Sequence, residues 1–588
     1  MVRHNKLAVA IAAILASAAS QADTQDAQAT AAAPPTAASE RPAAEEPGYQ
    51  APIGEVIVTG LRGSLKASMD TKRYASGVVD SINAVDIGKF PDTNLSEALQ
   101  RITGISISRR DGEGSLVTAR GFGSQYNMVT LNGRMMPSAD AYAHNSGDRV
   151  ESGEGTTRAF NFANLAAEAI TAVDVYKTSR ADIATGGIGA TIDIKTNRPL
   201  EHDTAGLQAS LGAKAVHDTT NRTGSDITPE LSGILSFVNE SQNFGVSVSG
   251  SYQERDSGTQ AANVNDWRIQ QWVTPGQPGA MELDPGAPVT NAPAVGQLYG
   301  LPNDLRYIYS DRHRERVNGQ LALQFKPVES LLLTADYTYA ENHLQEQRGE
   351  QTLWFVRRAS AVAFDTDQAV ATPVTISEVT GLGKDHGFEQ SYRDQTNTLN
   401  SAGFNAAWQI TERFSLNFDA HDSKMKSLPT GPTGGTEVAI SIAGPIVFDQ
   451  TFHYTNGLPT ANYTLNDTRS DLNGNGTFDE PDLGTQPMRV WYTDQVTEIK
   501  QGRLDGALDF DDGRVQFGVE TRKLEMSQKD SENYFPLGDW GIANPGEIPA
   551  DLVQPFNYAA QFEDFDATGA DTNGWKGNGQ ALAEWAAQ

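Results

Sequence analysis

Leu504-Asp505-Gly506-Ala507-Leu508-Asp509-Phe510-Asp511-Asp512-Gly513-Arg514-Val515-Gln516-Phe517-Gly518-Val519 carries the fold of the chain in sixteen residues. Leu504, Leu508 and Phe510 alternate with polar residues, Asp511-Asp512-Gly513 supplies a tight turn, and Val515, Phe517 and Val519 resume the alternation. Two antiparallel strands with one apolar and one polar face follow from that period of two. The design recurs where Val317, Leu321, Leu323 and Phe325 turn through Pro327 to Ser330 into Leu331, Leu333, Ala335, Tyr337 and Tyr339. It recurs again where Phe404, Ala406, Trp408 and Ile410 turn at Thr411-Glu412-Arg413 into Phe414, Leu416 and Phe418, and where Phe237 turns near Glu240 into Phe244, Val246, Val248 and Tyr252. Long polar segments near 257–300, 358–395, 427–487 and 528–577 separate these hairpins. Short turns alternating with long loops predict an antiparallel transmembrane β-barrel, with a soluble all-β domain as the alternative. About ten strands fit between Gly206 and Gln588.

The rest of the composition bounds the function. The chain has 588 residues, no cysteine and a formal net charge of −29, which points to more than one domain and excludes disulfides, thiolate metal sites and cysteine nucleophiles. Nucleic acid is not an expected partner of so acidic a chain. Arg3 and Lys6 precede the apolar run Leu7–Ala16, and Ser20-Gln21-Ala22 offers small residues for cleavage, so residues 1–22 read as a signal peptide. No segment holds the ~20 consecutive apolar residues of a spanning helix, so any membrane crossing is by strands. Residues 23–54 are rich in Ala, Pro and acids with little to bury, a disordered tail too short for a further folded domain. That tail ends in the β-branched run Glu55-Val56-Ile57-Val58-Thr59-Gly60. A short strand on a loose leader can add to the sheet edge of another protein.

Residues 61–202 have the pattern of an α+β domain. Asp92 or Thr93 is expected to cap a helix bearing Leu95, Ala98, Leu99 and Ile102, with Gly104 stopping it. Strands are expected at Ile105–Ser108, Leu116–Arg120, Met128–Leu131 before the Asn132-Gly133 turn, and Thr191–Ile194.

Glu55–Gly60 resembles the TonB box of the TonB-dependent receptors, a family of outer-membrane transporters. Phe90-Pro91-Asp92 to Gly104, Arg120-Gly121-Phe122, Leu131-Asn132-Gly133-Arg134, Val173-Asp174-Val175-Tyr176-Lys177 and Gly186-Gly187-Ile188-Gly189 through Lys195-Thr196 resemble that family's plug motifs in order. The Phe90-Pro91-Asp92 entry and the Asn197-Arg198-Pro199 exit resemble the carbohydrate-type branch. The resemblance implies a plug domain over 61–202, a partial barrel with long extracellular loops over 203–588, and C-terminal incompleteness relative to a barrel of about 22 strands. It also implies an outer-membrane location in a Gram-negative bacterium, with plug and tail on the periplasmic side. TonB and its inner-membrane energising complex would grip Glu55, Val56, Ile57, Val58, Thr59 and Gly60. The implied function is active import of a bulky small-molecule nutrient, an oligosaccharide first and a ferric siderophore as the alternative. A passive porin and an adhesion barrel are the rivals from other classes.

One further motif stands in a loop. Asp471-Leu472-Asn473-Gly474-Asn475-Gly476-Thr477-Phe478-Asp479-Glu480-Pro481-Asp482 fits the twelve-residue calcium pattern, with Asp471, Asn473, Asn475, Thr477, Asp479 and Asp482 as ligand positions and Gly476 at the sharp turn. Asp482 replaces the usual Glu, and a plain polar loop is the alternative reading. No other cofactor is expected. The glycines of Gly186–Gly189 do not fit a nucleotide loop, and neither H-E-x-x-H nor G-x-S-x-G occurs, so no enzyme is expected. Trp267, Trp272, Trp354, Trp491 and Trp540 lie in or near loops, where rings could stack on sugars or pack structurally.

Overall fold

Alternating side chains dictate the architecture that the computed structural model displays. It describes residues 61–588 except 76, 84–93, 142–157, 168–169, 202–204, 356–357, 432–433 and 455–456. The chain divides into two compact units, Met1–Gly63 and Ser64–Gln588. All the strands among the described residues lie in the second.

The plug comes first. Helix α1 (Leu61–Tyr74) precedes strand β1 (Val79–Asn83), and neither was legible in the sequence pattern. Helix α2 (Leu95–Leu99) is capped by Asn94, whose side chain accepts from the amides of Ser96 and Glu97. Asp92 and Thr93, the expected caps, lie outside the described residues, and the helix ends at Leu99 rather than reaching Gly104. Ile102 is buried all the same. Strands β2 (Ile105–Arg110) and β3 (Glu113–Ala119) form a hairpin. β4 (Met128–Leu131), β5 (Arg134–Met135), β6 (Ile170–Tyr176) and β7 (Thr191–Thr196) join β1 in a mixed sheet of order β1-β6-β7-β4-β5. Asn132 and Gly133 both have positive φ, 54° and 80°, the geometry of the tightest hairpin turn. Leu95, Leu99, Val173, Val175, Ile192 and Ile194 are the heart of the plug core.

The wall follows. Strands β8 (Gly206–Val216), β9 (Thr228–Val238) and β10 (Phe244–Asn263) begin it. The chain then passes through β11 (Trp267–Gln271), β12 (Val289–Thr290) and β13 (Leu298–Pro302) to β14 (Asp304–Val328) and β15 (Leu331–Trp354). After β16 (Ala361–Asp365) come β17 (Val370–Thr411), β18 (Phe414–Pro429), β19 (Glu437–His453), β20 (Thr460–Leu465), β21 (Gly484–Phe510) and β22 (Gly513–Phe535). Nearest neighbours run antiparallel in the order β8-β9-β10-β14-β15-β17-β18-β21-β22. All four expected hairpins are present, closing at Val238 and Phe244, Val328 and Leu331, Thr411 and Phe414, and Phe510 and Gly513. The segments expected to be loops are partly strand. β17 runs 42 residues, past the end of β18, and there pairs with β19, which in turn pairs with β21.

Cross-strand register gathers the apolar side chains into one row. On the outward face Phe244, Val246, Val248 and Tyr252 of β10 stand opposite Phe325, Leu323, Leu321 and Val317 of β14. The row continues across β15 as Leu333, Ala335 and Tyr337. Beyond Tyr252 the same face turns charged, with Glu254 opposite Glu315 and Asp256 opposite His313. Nine residues of tilted strand cover about 20 Å, close to the ~25 Å apolar band of an outer-membrane barrel. The inward face is mainly polar: Ser247, Ser249, Ser251 and Gln253 on β10 and Arg312, Arg314, Arg316 and Asn318 on β14 are all buried.

Past the charged rim the strands and loops build a second apolar core around Tyr299, Phe364, Phe388, Val438, Ile440 and Phe452. The last segment closes on it. Strands β23 (Val553–Phe556) and β24 (Gly574–Gly577) pair, and helix α3 (Gly579–Ala586), capped by the Asn578 side chain, buries Leu582 and Ala583.

Candidate functional site

The plug meets the inward face of the wall through charge. Asp111 and Gly112 both take positive φ, 57° and 76°, and this β2–β3 turn thrusts Asp111 and Glu113 towards β14. A strand repeat of two puts Arg312, Arg314 and Arg316 on one face. Arg316 Nη2 donates to Glu113 Oε1 at 2.7 Å and Arg314 also donates to Glu113. Arg393 of β17 donates to Asp111 Oδ1 at 2.5 Å and lies 2.9 Å from Glu346 Oε2. Arg312 Nε donates to Glu346 at 2.8 Å, and Arg110 pairs with Asp140 within the plug. Five guanidinium groups therefore interlock with four carboxylates. Burial alone would raise both plug carboxyls, but Arg393 and Arg312 hold Asp111 well below the usual carboxylate range, and Arg316 and Arg314 lower Glu113.

A second clamp follows the Asn132-Gly133 turn. Arg134 reaches into the wall, its Nη1 2.7 Å from Asp336 Oδ2 and its Nε and Nη2 2.8 and 2.9 Å from the two oxygens of Asp419. Gly403 of β17 leaves the space that the guanidinium fills, since a Cβ there would overlap it. Amides and hydroxyls complete the contact. Gln495 accepts from Asp140 N at 2.8 Å, Ser427 from Ala141 N at 3.0 Å, and Asn164 Oδ1 from the amides of Asn342 and Asn397. From the wall, only Ala340, Leu399 and Met425 join the plug's apolar cluster among the described residues. Water can replace the partners of a polar contact as it opens, whereas an apolar contact has no such substitute.

The sequence-predicted coupling segment, Glu55, Val56, Ile57, Val58, Thr59 and Gly60, lies outside the described residues. The calcium-like loop is described. Asp479 accepts from the side-chain amides of Asn473 and Asn475 at 2.6 and 2.7 Å, and Asn475 Oδ1 accepts from Thr477 N at 2.7 Å. Buried Asp482 accepts from the amides of Asn473 and Asp479 at 3.5 and 3.2 Å. Asp471 turns away to pair with Arg469 at 2.5 Å. Asp467, which the motif did not include, accepts from Gly476 N at 2.6 Å. Of the five tryptophans, Trp272 and Trp491 are buried and Trp354 lies beneath Arg306, whereas Trp267 and Trp540 stay exposed.

An inward-polar, outward-apolar wall holding a charged α+β insert defines a plugged membrane barrel wall. Residues 71–191 match the family model described as the TonB-dependent receptor plug domain. The α+β insert is thus a plug domain of the TonB-dependent receptor type. Similar solved structures include the siderophore receptor PirA of Acinetobacter baumannii, at 11% identity over 79% of each chain with a TM-score of 0.27. Two others are BauA, the ferric preacinetobactin receptor of the same organism, at 11% identity over 79% of this chain and 61% of that one (TM-score 0.29), and a mutant of the ferric enterobactin receptor PfeA of Pseudomonas aeruginosa, at 11% over 78% and 72% (TM-score 0.31). No curated protein matches the chain.

Proposed function

We propose that this receptor is an energy-coupled importer in which TonB pulls on Glu55–Gly60 and frees the plug from the wall so that a bulky nutrient passes. The observation that carries the reading is the polar clamp: Asp111, Glu113 and Arg134 tie the plug by ion pairs, not by a continuous apolar seam. In this reading the short turns and the plug face the periplasm, and the charged rim and aromatic core face outward. An oligosaccharide is the favoured cargo, supported by the exposed rings of Trp267 and Trp540, with a ferric siderophore as the alternative. The acidic chain, at −29, favours a neutral cargo over an anionic one. Calcium at Asp471–Asp482 would stiffen an outer loop, supported by the positive φ of Gly474 and Gly476 and by the added carboxylate of Asp467. No catalysis is assigned.

Deleting Glu55–Gly60 tests coupling. Cells carrying the deletion should bind cargo but lose uptake; undiminished uptake would instead establish a passive pore. Growth on a panel of sugars against iron-limited growth separates the two cargo classes.

A further inference from the structure

On the outward face, one step beyond Tyr252, two carboxylates stand directly opposite each other: Glu254 of β10 and Glu315 of β14 are register partners. Like charges in directly opposed positions destabilise a sheet. Among the described residues no lysine or arginine pairs with either of them; Tyr252 Oη lies 3.1 Å from Glu254 and 3.3 Å from Glu315, and His343 lies 3.9 Å from Glu315. One row further on, Asp256 is buried and faces His313, whose Nδ1 is 2.7 Å from Asp256 Oδ1. Its other oxygen accepts from Ser225 N at 2.7 Å, so the loop between β8 and β9 closes over it. Gly224 packs so tightly on this carboxylate, with φ of 92°, that a Cβ would overlap its oxygens. Ligand atoms of Glu254, Asp256 and His313 all lie within 4.8 Å of one another.

We propose that Glu254, Asp256 and His313 form a divalent-cation site of the zinc class on the outer face of the wall. One imidazole nitrogen and two carboxylate oxygens are a ligand set suited to zinc, which binds both donor types at about 2.0–2.2 Å. Ligands around a tetrahedral ion at those lengths are about 3.4 Å apart, so the three groups need only small side-chain rotations. The cation supplies the positive charge that the opposed carboxylates lack. It also staples the β8–β9 loop, through Asp256 and Ser225, to the β10–β14 ladder just beyond the apolar band. The site is separate from the plug clamp, which lies on the inward face, and does not depend on the cargo or on coupling.

The test is equilibrium dialysis of the purified full chain in detergent against zinc alone, with bound metal counted by mass spectrometry. Native protein should bind one zinc that His313→Ala and Glu254→Gln weaken at least about tenfold. His313→Gln, which keeps a donor for Asp256 but cannot replace the imidazole ligand, should lose zinc while retaining native circular dichroism. Hydrogen exchange should show amides of residues 218–227 slowed by zinc in the native chain only. Zinc bound equally by all three variants, or no zinc bound by the native chain, overturns the site and leaves Asp256 and His313 a hydrogen-bonded pair.

Discussion

The long strands β14, β15 and β17 do opposite things at their two ends. Towards the short turns their inward residues, among them Arg314, Arg316, Asp336, Asn342 and Arg393, meet the plug through ion pairs and amides. Beyond the charged rim the same strands bring Tyr307, Tyr309, Leu353 and Phe388 into a dry core that the C-terminal segment completes, with Tyr309 against Phe556 and Tyr558 and Phe388 stacked on Tyr558. Apolar packing has no exchange partner in water, while a salt-bridged seam can be opened and rehydrated. The difference is between a seam of ion pairs and amides at the plug and a core of aromatic and aliphatic contacts beyond the rim.

The comparison can be broken first at Glu113. Glu113→Gln leaves Arg314 and Arg316 buried without their counter-charge, and plug docking should weaken by about 3–5 kcal/mol, read as a lower urea midpoint for protection of plug amides. The aromatic core beyond the rim should keep its midpoint; a matched drop in both would show that the two regions unfold as one. The pH dependence has a definite sign. Asp111 and Glu113 have lowered folded-state values, so their contribution is full above the ordinary carboxylate range and is lost as pH falls through the depressed values. Docking should therefore persist at pH 5 and fail only on strong acidification, as followed by tryptic cleavage of the plug.

At the other end, Phe388→Ala should cost about 3 kcal/mol and loosen the aromatic core while leaving the plug protected. Gly403→Ala should cost about 1–3 kcal/mol by crowding Arg134, with the loss confined to plug docking; an unchanged docking midpoint would remove Arg134 from the clamp. The smallest expected effect is Asn94→Ala, about 1 kcal/mol for the lost cap of α2, measurable by thermal melts monitored at plug amides. Asn94 also donates to Glu113 Oε1 at 2.9 Å, so a larger loss would mean that the cap orients the clamp as well.

Much of the wall was legible because a period of two with sharp turn chemistry is local information. The Asp511-Asp512-Gly513 turn and the alternation either side of it specify a hairpin without help from the rest of the chain. What lay beyond the alternation was not legible. The polar stretch 358–395 reads as loop, yet most of it is β17, because β19 arrives from about sixty residues later to pair with it. The helical spacing from Leu95 is legible, but helix α2 ends at Leu99, short of Gly104, and its cap is Asn94 rather than Asp92 or Thr93. Of the clamp, Arg134 stands in the Leu131–Arg134 motif, which does not reveal its partners Asp336 and Asp419. Arg312, Arg314 and Arg316 share one strand face by their spacing of two, but the opposite face there carries Asp311, His313 and Glu315, so no apolar alternation marks the three guanidiniums as buried. Their partners Asp111 and Glu113 come from about two hundred residues away, a pairing that no local pattern contains.

The most direct test of the central claim is hydrogen exchange of the full chain in detergent, comparing native protein with Glu113→Gln. Amides of residues 105–140 should lose protection in the variant while those of residues 436–452 keep theirs. Equal loss in both regions, or no loss in the plug, would contradict a separable plug held by its ion pairs.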